Sequence, residues 1–183
     1  MEQNLIRKDM WNTAAMAGLV LGLISTAYMF ITQLIAGAPG AISAILGMIL
    51  WAAKFGGCIW MMLFFMKKHA AEHPEVSNKD TFNLGIAIAF LSALAYSTAA
   101  FANVAFISGD AFIEQMNMSM QQMSSMMDSN SMAMMDTLMQ KLPQITFFSN
   151  LIYCTAFGTV LSFILSRNIP SRDPFANYKP DQQ

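Results

Sequence analysis

The chain has 183 residues, 55% of them hydrophobic and only 11% charged, where an ordinary soluble domain carries about 25% charged residues. Ten Lys+Arg against eleven Asp+Glu leave a net charge of −1, so no bulk attraction to nucleic acid is expected. No charge occurs in residues 10–53, 81–109 or 142–166. These runs exceed the roughly 18 apolar residues of a membrane-spanning helix, which excludes a water-soluble domain, a disordered tail and a disulfide-stapled secreted module.

The first charge-free run is long enough for two spans, and Gly37-Ala38-Pro39-Gly40 divides it. Pro removes a helical N–H and Gly loosens the backbone, so a tight turn is predicted there. The expected spans are residues 13–35, 41–66, 81–107 and 143–166. Each is roughly 34–40 Å long as a helix, enough to cross ~30 Å of hydrocarbon with some tilt. Helix is the expected form because lipid offers no partners to an open strand edge. The first apolar stretch also exceeds the 7–15 residues of a signal-peptide core. Pro39 after the small-residue pattern Ala36-Gly37-Ala38 disfavours cleavage, so a retained helix is expected.

Basic residues predict the orientation. Arg7 and Lys8 precede the first span; Lys67, Lys68 and Lys79 lie between the second and third; Arg167, Arg172 and Lys179 follow the fourth. Four spans put all of these on one side. The other side has Lys141 against Asp110, Glu114, Asp128 and Asp136. The positive-inside rule makes the basic side, with both termini, cytoplasmic. The expectation is an all-α, multi-pass four-helix bundle in one membrane domain, residues 1–183, with a cytoplasmic tail over 167–183.

Small residues recur at four-residue spacing. Ala14, Gly18, Gly22 and Thr26 mark the first span; Gly85, Ala89, Ala93 and Ser97 the third; Cys154, Gly158 and Ser162 the fourth. Such stripes let helix backbones approach closely in lipid. An intramolecular bundle is the plainer reading, and a homo-oligomer using the same stripes is the alternative. Cys58 and Cys154 both fall within spans and read as packing residues.

Lys54 is the one ionisable acid or base within the spans. It lies about 18–20 Å from either helix end, too deep for easy snorkelling. A Lys at a helix centre costs about 2.5–3.5 kcal/mol on insertion scales, and no span contains an acid to neutralise it. At matching depth lie Ser25, Thr26 and Tyr28 on the first span, Ser92 and Tyr96 on the third, and Asn150 and Tyr153 on the fourth. The candidate ligand site is therefore Lys54, Ser92, Tyr96, Asn150 and Tyr153. Gly56-Gly57 follows immediately and is expected to loosen the helix there. The functional reading is an anion, lipid headgroup or transported species at Lys54. The plainer one is a Lys held by hydroxyls and carbonyls to specify packing.

Met accounts for 18 residues, and ten lie between Gly109 and Lys141. Thioethers are soft Cu(I) ligands, and Met116, Met118, Met120 and Met123 are the candidates. Periodicity competes. Ile113, Met116, Met120, Met123 and Met127 recur at three- and four-residue steps, with Glu114, Asn117, Gln121, Ser124 and Asp128 on the other face. That describes an amphipathic helix outside the cytoplasm, between the third and fourth spans. The amphipathic reading is favoured because no His or Cys accompanies the thioethers. His69-Ala70-Ala71-Glu72-His73 fits the inverted zinc-protease motif literally. Pro74 stops the helix at once and no third ligand follows convincingly, so a solvated helix end is expected instead. Neither metal nor cofactor is assigned.

The glycine-rich first span from Met16 to Ile24, the stretch KFGGCIWMMLFFMKK over Lys54–Lys68 and the long outer segment carry a resemblance, as does the closing Ser-Arg-Asn-Ile-Pro at Ser166–Pro170. Over nearly its whole length the chain resembles the DUF4199 family, small bacterial inner-membrane proteins, mainly from Bacteroidota, defined only as a domain of unknown function. The resemblance implies four spans and a Gram-negative inner membrane. It brings no activity and no functional residues to transfer. The Met density looks like a departure from the family, which argues against a family-wide metal role.

Three functions are ranked on the sequence. The first is a non-enzymatic protein that supports a membrane partner or a second copy of itself through the outer segment, with the bilayer as its other partner and no nucleic acid. The second is a transporter or channel component with its pathway at Lys54; a cavity reaching Lys54 would favour it. An integral enzyme ranks last, since the spans hold no paired acid and base.

Overall fold

The computed structural model describes residues 2–35, 40–73, 76–109, 113–114, 118, 134 and 137–169; the side chains of residues 2–6 and 40–42 are outside the description. Four long helices form the fold: α1 (Glu2–Ile35), α2 (Gly40–Glu72), α3 (Asn78–Phe106) and α4 (Leu142–Arg167). All four are long and apolar enough to cross a membrane. Among the described residues there is no strand. The fold is thus an all-α four-helix bundle of membrane-span type.

The helices outrun the predicted spans mainly at their charged ends. α1 is already helical through Arg7, Lys8 and Asp9, and α2 continues through Lys67 and Lys68 to Glu72. Polar side chains do not stop a helix whose backbone hydrogen bonds are intact; only their place in the bilayer changes. The start of α3 is set by Ser77. Its Oγ accepts from the Asp80 N–H at 3.3 Å while its own N–H donates to Asp80 Oδ2 at 3.1 Å. That reciprocal cap satisfies two otherwise unpaired groups. Pro143 sits in the first turn of α4, where a missing N–H costs nothing.

Consecutive helices run antiparallel. Asp9 near the start of α1 approaches His73 beyond the end of α2 at 3.9 Å, and Phe82 near the start of α3 meets Phe163 near the end of α4. Arg7, Lys8, Lys67, Lys68, Lys79 and Arg167 therefore share one end of the bundle, hereafter the basic end. Met66, Leu84 and Leu165, with Ile169 just past α4, are buried there in one apolar cluster.

The small-residue stripes decide which helices touch. A Cβ added to Gly22 would lie 2.6 Å from the Ala95 Cβ, and one added to Gly18 2.7 Å from the Leu91 Cβ. One face of α3 thus presses against the glycines of α1. Its opposite face, Gly85, Ala89 and Ala93, meets α4, where Gly85 abuts Ser162 and Gly158 abuts Ala89. Two hydroxyls at these seams are satisfied within their own helix, Ser162 Oγ donating to the Gly158 carbonyl at 2.6 Å and Thr26 Oγ1 to the Gly22 carbonyl at 2.9 Å, whereas the buried Ser97 Oγ has no partner. Backbone acceptors one turn away are the natural partners where water is scarce.

α3 is the hub, packed extensively against α1 and α4. α2 leans on α1, touches α3 little and α4 least. Its half remote from the basic end stands largely exposed, and nothing lies within 4 Å of a Cβ added to Gly47, Gly56 or Gly57. The helix nevertheless continues unbroken through Gly56-Gly57, contrary to the expected loosening. Intrahelical hydrogen bonds have no solvent competitor in an apolar environment, so two glycines do not suffice to open the helix.

Candidate functional site

Because α2 stands off from α3 and α4, a cavity of about 380 Å³ remains between them, with Lys54 in its wall. Lys54 and Cys58 lie one turn apart on α2 and project to the same side, with Trp51 one turn before. α1 contributes Leu21 and Ser25, α3 contributes Ser92, Ala93 and Tyr96, and α4 contributes Cys154 and Phe157. The volume falls within the ~300–1,000 Å³ range of small-molecule pockets.

Two tyrosines receive the ammonium. Lys54 Nζ lies 4.7 Å from the centroid of the Tyr28 ring and 5.3 Å from that of Tyr96. Each ring presents a π-face to the charge, an attraction of about 0.5–2 kcal/mol that grows with desolvation. Two such contacts offset part of the cost of placing a cation mid-span. Among the described residues no carboxylate lines the cavity, so an anion or strong acceptor entering it would meet an ammonium without an ion-pair partner among them.

Apart from the hydroxyls of Ser25, Ser92 and Tyr96 and the thiols of Cys58 and Cys154 the wall is otherwise apolar, and its rim is aromatic. Trp51 stacks on Phe55 at 5.4 Å, Phe55 meets Phe157 at 5.7 Å, and Phe157 stacks with Tyr153 at 6.3 Å. Trp51 is 56% exposed and Tyr153 is 69% exposed, both mid-helix, so the mouth opens sideways between α2 and α4. Toward the basic end the path is shut: Met62, Met66, Leu84 and Ile88 are all at most 5% exposed.

Of the residues singled out from the sequence, Lys54, Ser92, Tyr96 and Tyr153 line this cavity, with Tyr153 at its rim. Asn150 does not. It is half-buried on the same face one turn from Cys154, displaced along the helix axis from the cavity lining. Cys58 and Cys154 both line the cavity, and Cys58 also packs against the buried core. The Cys58 thiol also lies within hydrogen-bonding reach of Ser25 on α1. Trp51, Phe55 and Phe157 went unremarked in the sequence, although Trp51 and Cys58 stand at helical spacing from Lys54 and signal a shared face.

The His-Ala-Ala-Glu-His stretch is not a solvated helix end throughout. His69 is only 2% exposed, and its Nδ1 is buried with no hydrogen-bond partner. It continues the inward face of Met62 and Met66, three residues on. The His69 and His73 rings lie 4.8 Å apart, yet among the described residues no group of three His, Cys, Asp or Glu is arranged to hold a metal. Of the outer segment, residues 113, 114, 118, 134 and 137–140 are described, all helical. Met118 is exposed; Met116, Met120 and Met123, and with them the Cu(I) reading, lie outside the described residues.

The fold and the cavity together define an all-α bundle of four membrane-span-type helices with a laterally open pocket around the half-buried Lys54. Residues 16–167 match the family described as Protein of unknown function (DUF4199); the chain belongs to that family. No curated protein and no solved structure matches it.

Proposed function

We propose that this protein is a non-enzymatic, multi-pass component of a bacterial inner membrane that binds a small ligand within the bilayer at Lys54. The basic end faces the cytoplasm in this reading, as the clustering of Lys and Arg there supports. The observation that carries the reading is the cavity of about 380 Å³ in contact with Lys54 and with no carboxylate among its described lining residues. Sequence considerations rank support of a partner first. The cavity moves the weight to ligand binding, because a cation retained mid-span against its insertion cost marks function by default. A transport or carrier role follows if the ligand enters and leaves by the mouth between α2 and α4.

The test is purification of wild type and Lys54→Met from native membranes in a mild detergent, with extraction and mass spectrometry of retained small molecules. Wild type is expected to retain a molecule that Lys54→Met loses. The same molecules in both preparations would overturn the reading in favour of a Lys that only specifies packing.

A further inference from the structure

The chemistry of the cavity narrows the ligand further. Among the described residues its cationic contribution is one Lys, a compact point charge, and no Arg lines the wall. Phosphate recognition ordinarily draws on several cationic donors or the planar fork of Arg; here Lys54 is accompanied only by the neutral hydroxyls of Ser25, Ser92, Tyr96 and Tyr153 among the described lining residues. One ammonium matches one monoanion. Apart from those neutral hydroxyls and two thiols the remaining surface is apolar and aromatic, and the volume of about 380 Å³ sits near the lower end for small-molecule pockets. That suits a head and part of one chain, not a two-chain lipid.

The route of entry points the same way. Met62, Met66, Leu84 and Ile88 close the basic end, whereas Trp51, Phe55, Tyr153 and Phe157 frame a mouth at mid-helix depth. What reaches that mouth in a membrane is hydrocarbon. A ligand arriving there carries its own apolar tail and leaves it in the bilayer while its head turns inward. A lone ammonium and a lone carboxylate are each costly at that depth. Brought together they form a neutral pair, and close geometry offsets much of the desolvation of both.

Resting on the ligand-binding reading above, we propose that the ligand is a single-chain amphiphile with a carboxylate head, of the fatty-acid type. It enters between α2 and α4 and pairs with Lys54. The carboxylate accepts hydrogen bonds from Nζ, and the start of the chain lies along the aromatic rim.

The experiment uses the full chain in lipid nanodiscs and a long-chain fatty acid brominated along its chain, which quenches tryptophan fluorescence on contact. Trp51 lines the cavity, while Trp11 and Trp60 are exposed elsewhere and report unspecific contact with bulk lipid. The acid is expected to give a saturable quenching component that is lost in Trp51→Phe and in Lys54→Met and kept in Lys54→Arg. The brominated methyl ester should need roughly tenfold more, the worth of one charge-assisted hydrogen bond. Ser92→Phe, which fills the cavity and leaves Lys54 in place, should remove the component independently of charge. Equal saturation by acid and ester, or full saturation in Lys54→Met, would overturn the proposal. Retention of a Lys54-dependent molecule on purification, with no saturable quenching by the acid, would refute the carboxylate class and leave the cavity reading standing. Failure of both experiments removes both.

Discussion

Adding one methyl group at chosen glycines tests the helix arrangement directly. At Gly22 a new Cβ would sit 2.6 Å from the Ala95 Cβ and 3.2 Å from the Ser92 carbonyl oxygen. Carbon atoms prefer about 3.5–4.0 Å, so α1 and α3 must part locally by roughly 1 Å. Overpacking of this kind costs about 1–3 kcal/mol. The neighbours at Gly22 are a Cβ and backbone atoms, with no flexible chain end to swing aside. Gly56 supplies the control, since nothing lies within 4 Å of its added Cβ. There the change to Ala brings only better helix propensity, up to ~1 kcal/mol. Propensity applies equally at both sites, so the difference between Gly22→Ala and Gly56→Ala isolates packing, at about 1–3 kcal/mol. Unfolding in mixed micelles with increasing SDS, followed by circular dichroism, measures both. Gly18→Ala combined with Gly22→Ala should lose less than the sum, because one displacement of α1 relieves both clashes. A loss at Gly56→Ala as large as at Gly22→Ala would refute the reasoning, for it would mean that the free face of α2 is packed.

Gly158→Ala should destabilise at least as much as Gly22→Ala in the same titration, since its Cβ would overlap that of Ala89 on the facing helix. Lys54→Met removes a charge worth about 2.5–3.5 kcal/mol against insertion. Its SDS midpoint should not fall below that of wild type, and a lower midpoint would show that the two tyrosine contacts are structurally essential. Ser77→Ala removes the cap of α3 and should cost ~1 kcal/mol by the same assay. Amide exchange of the first turn, including Asp80, should quicken with it. His69→Leu replaces a buried imidazole whose Nδ1 has no partner. It should be neutral or stabilising, whereas His69→Asp, which buries an acid, should lower the unfolding free energy by about 2 kcal/mol or more, the cost of an unpaired buried charge.

Hydropathy and charge made the helices readable because each helix satisfies its backbone internally and needs no long-range partner to be recognised. Charge-free runs therefore located four elements, and the spacing of Gly18, Gly22, Gly85 and Gly158 announced close approach. Which stripe meets which was not readable. α3 uses two opposite faces, Leu91 and Ala95 toward α1 and Gly85 and Ala89 toward α4, and a list of small residues does not assign faces to neighbours. Lys54 stood out as a lone charge, and depth alone drew Tyr28 and Tyr96 near it. Depth also drew in Asn150, which shares a helix face with Tyr153 and Cys154 but lies one turn along the axis from them, off the cavity.

His69 shows the same division from the other side. Its neighbours Lys67, Lys68 and Glu72 are exposed and invite a solvated reading, yet the inward face of Met62 and Met66 carries it to 2% exposure. The elements, their number and the lone mid-span cation follow from local chemistry, which acts along one segment at a time. The stand-off of α2 from α4, the aromatic mouth and the closed basic end arise from how rigid helices fit together. Packing depends on the angular position of side chains on different helices at once, so the cavity around Lys54 exists only in the assembled bundle.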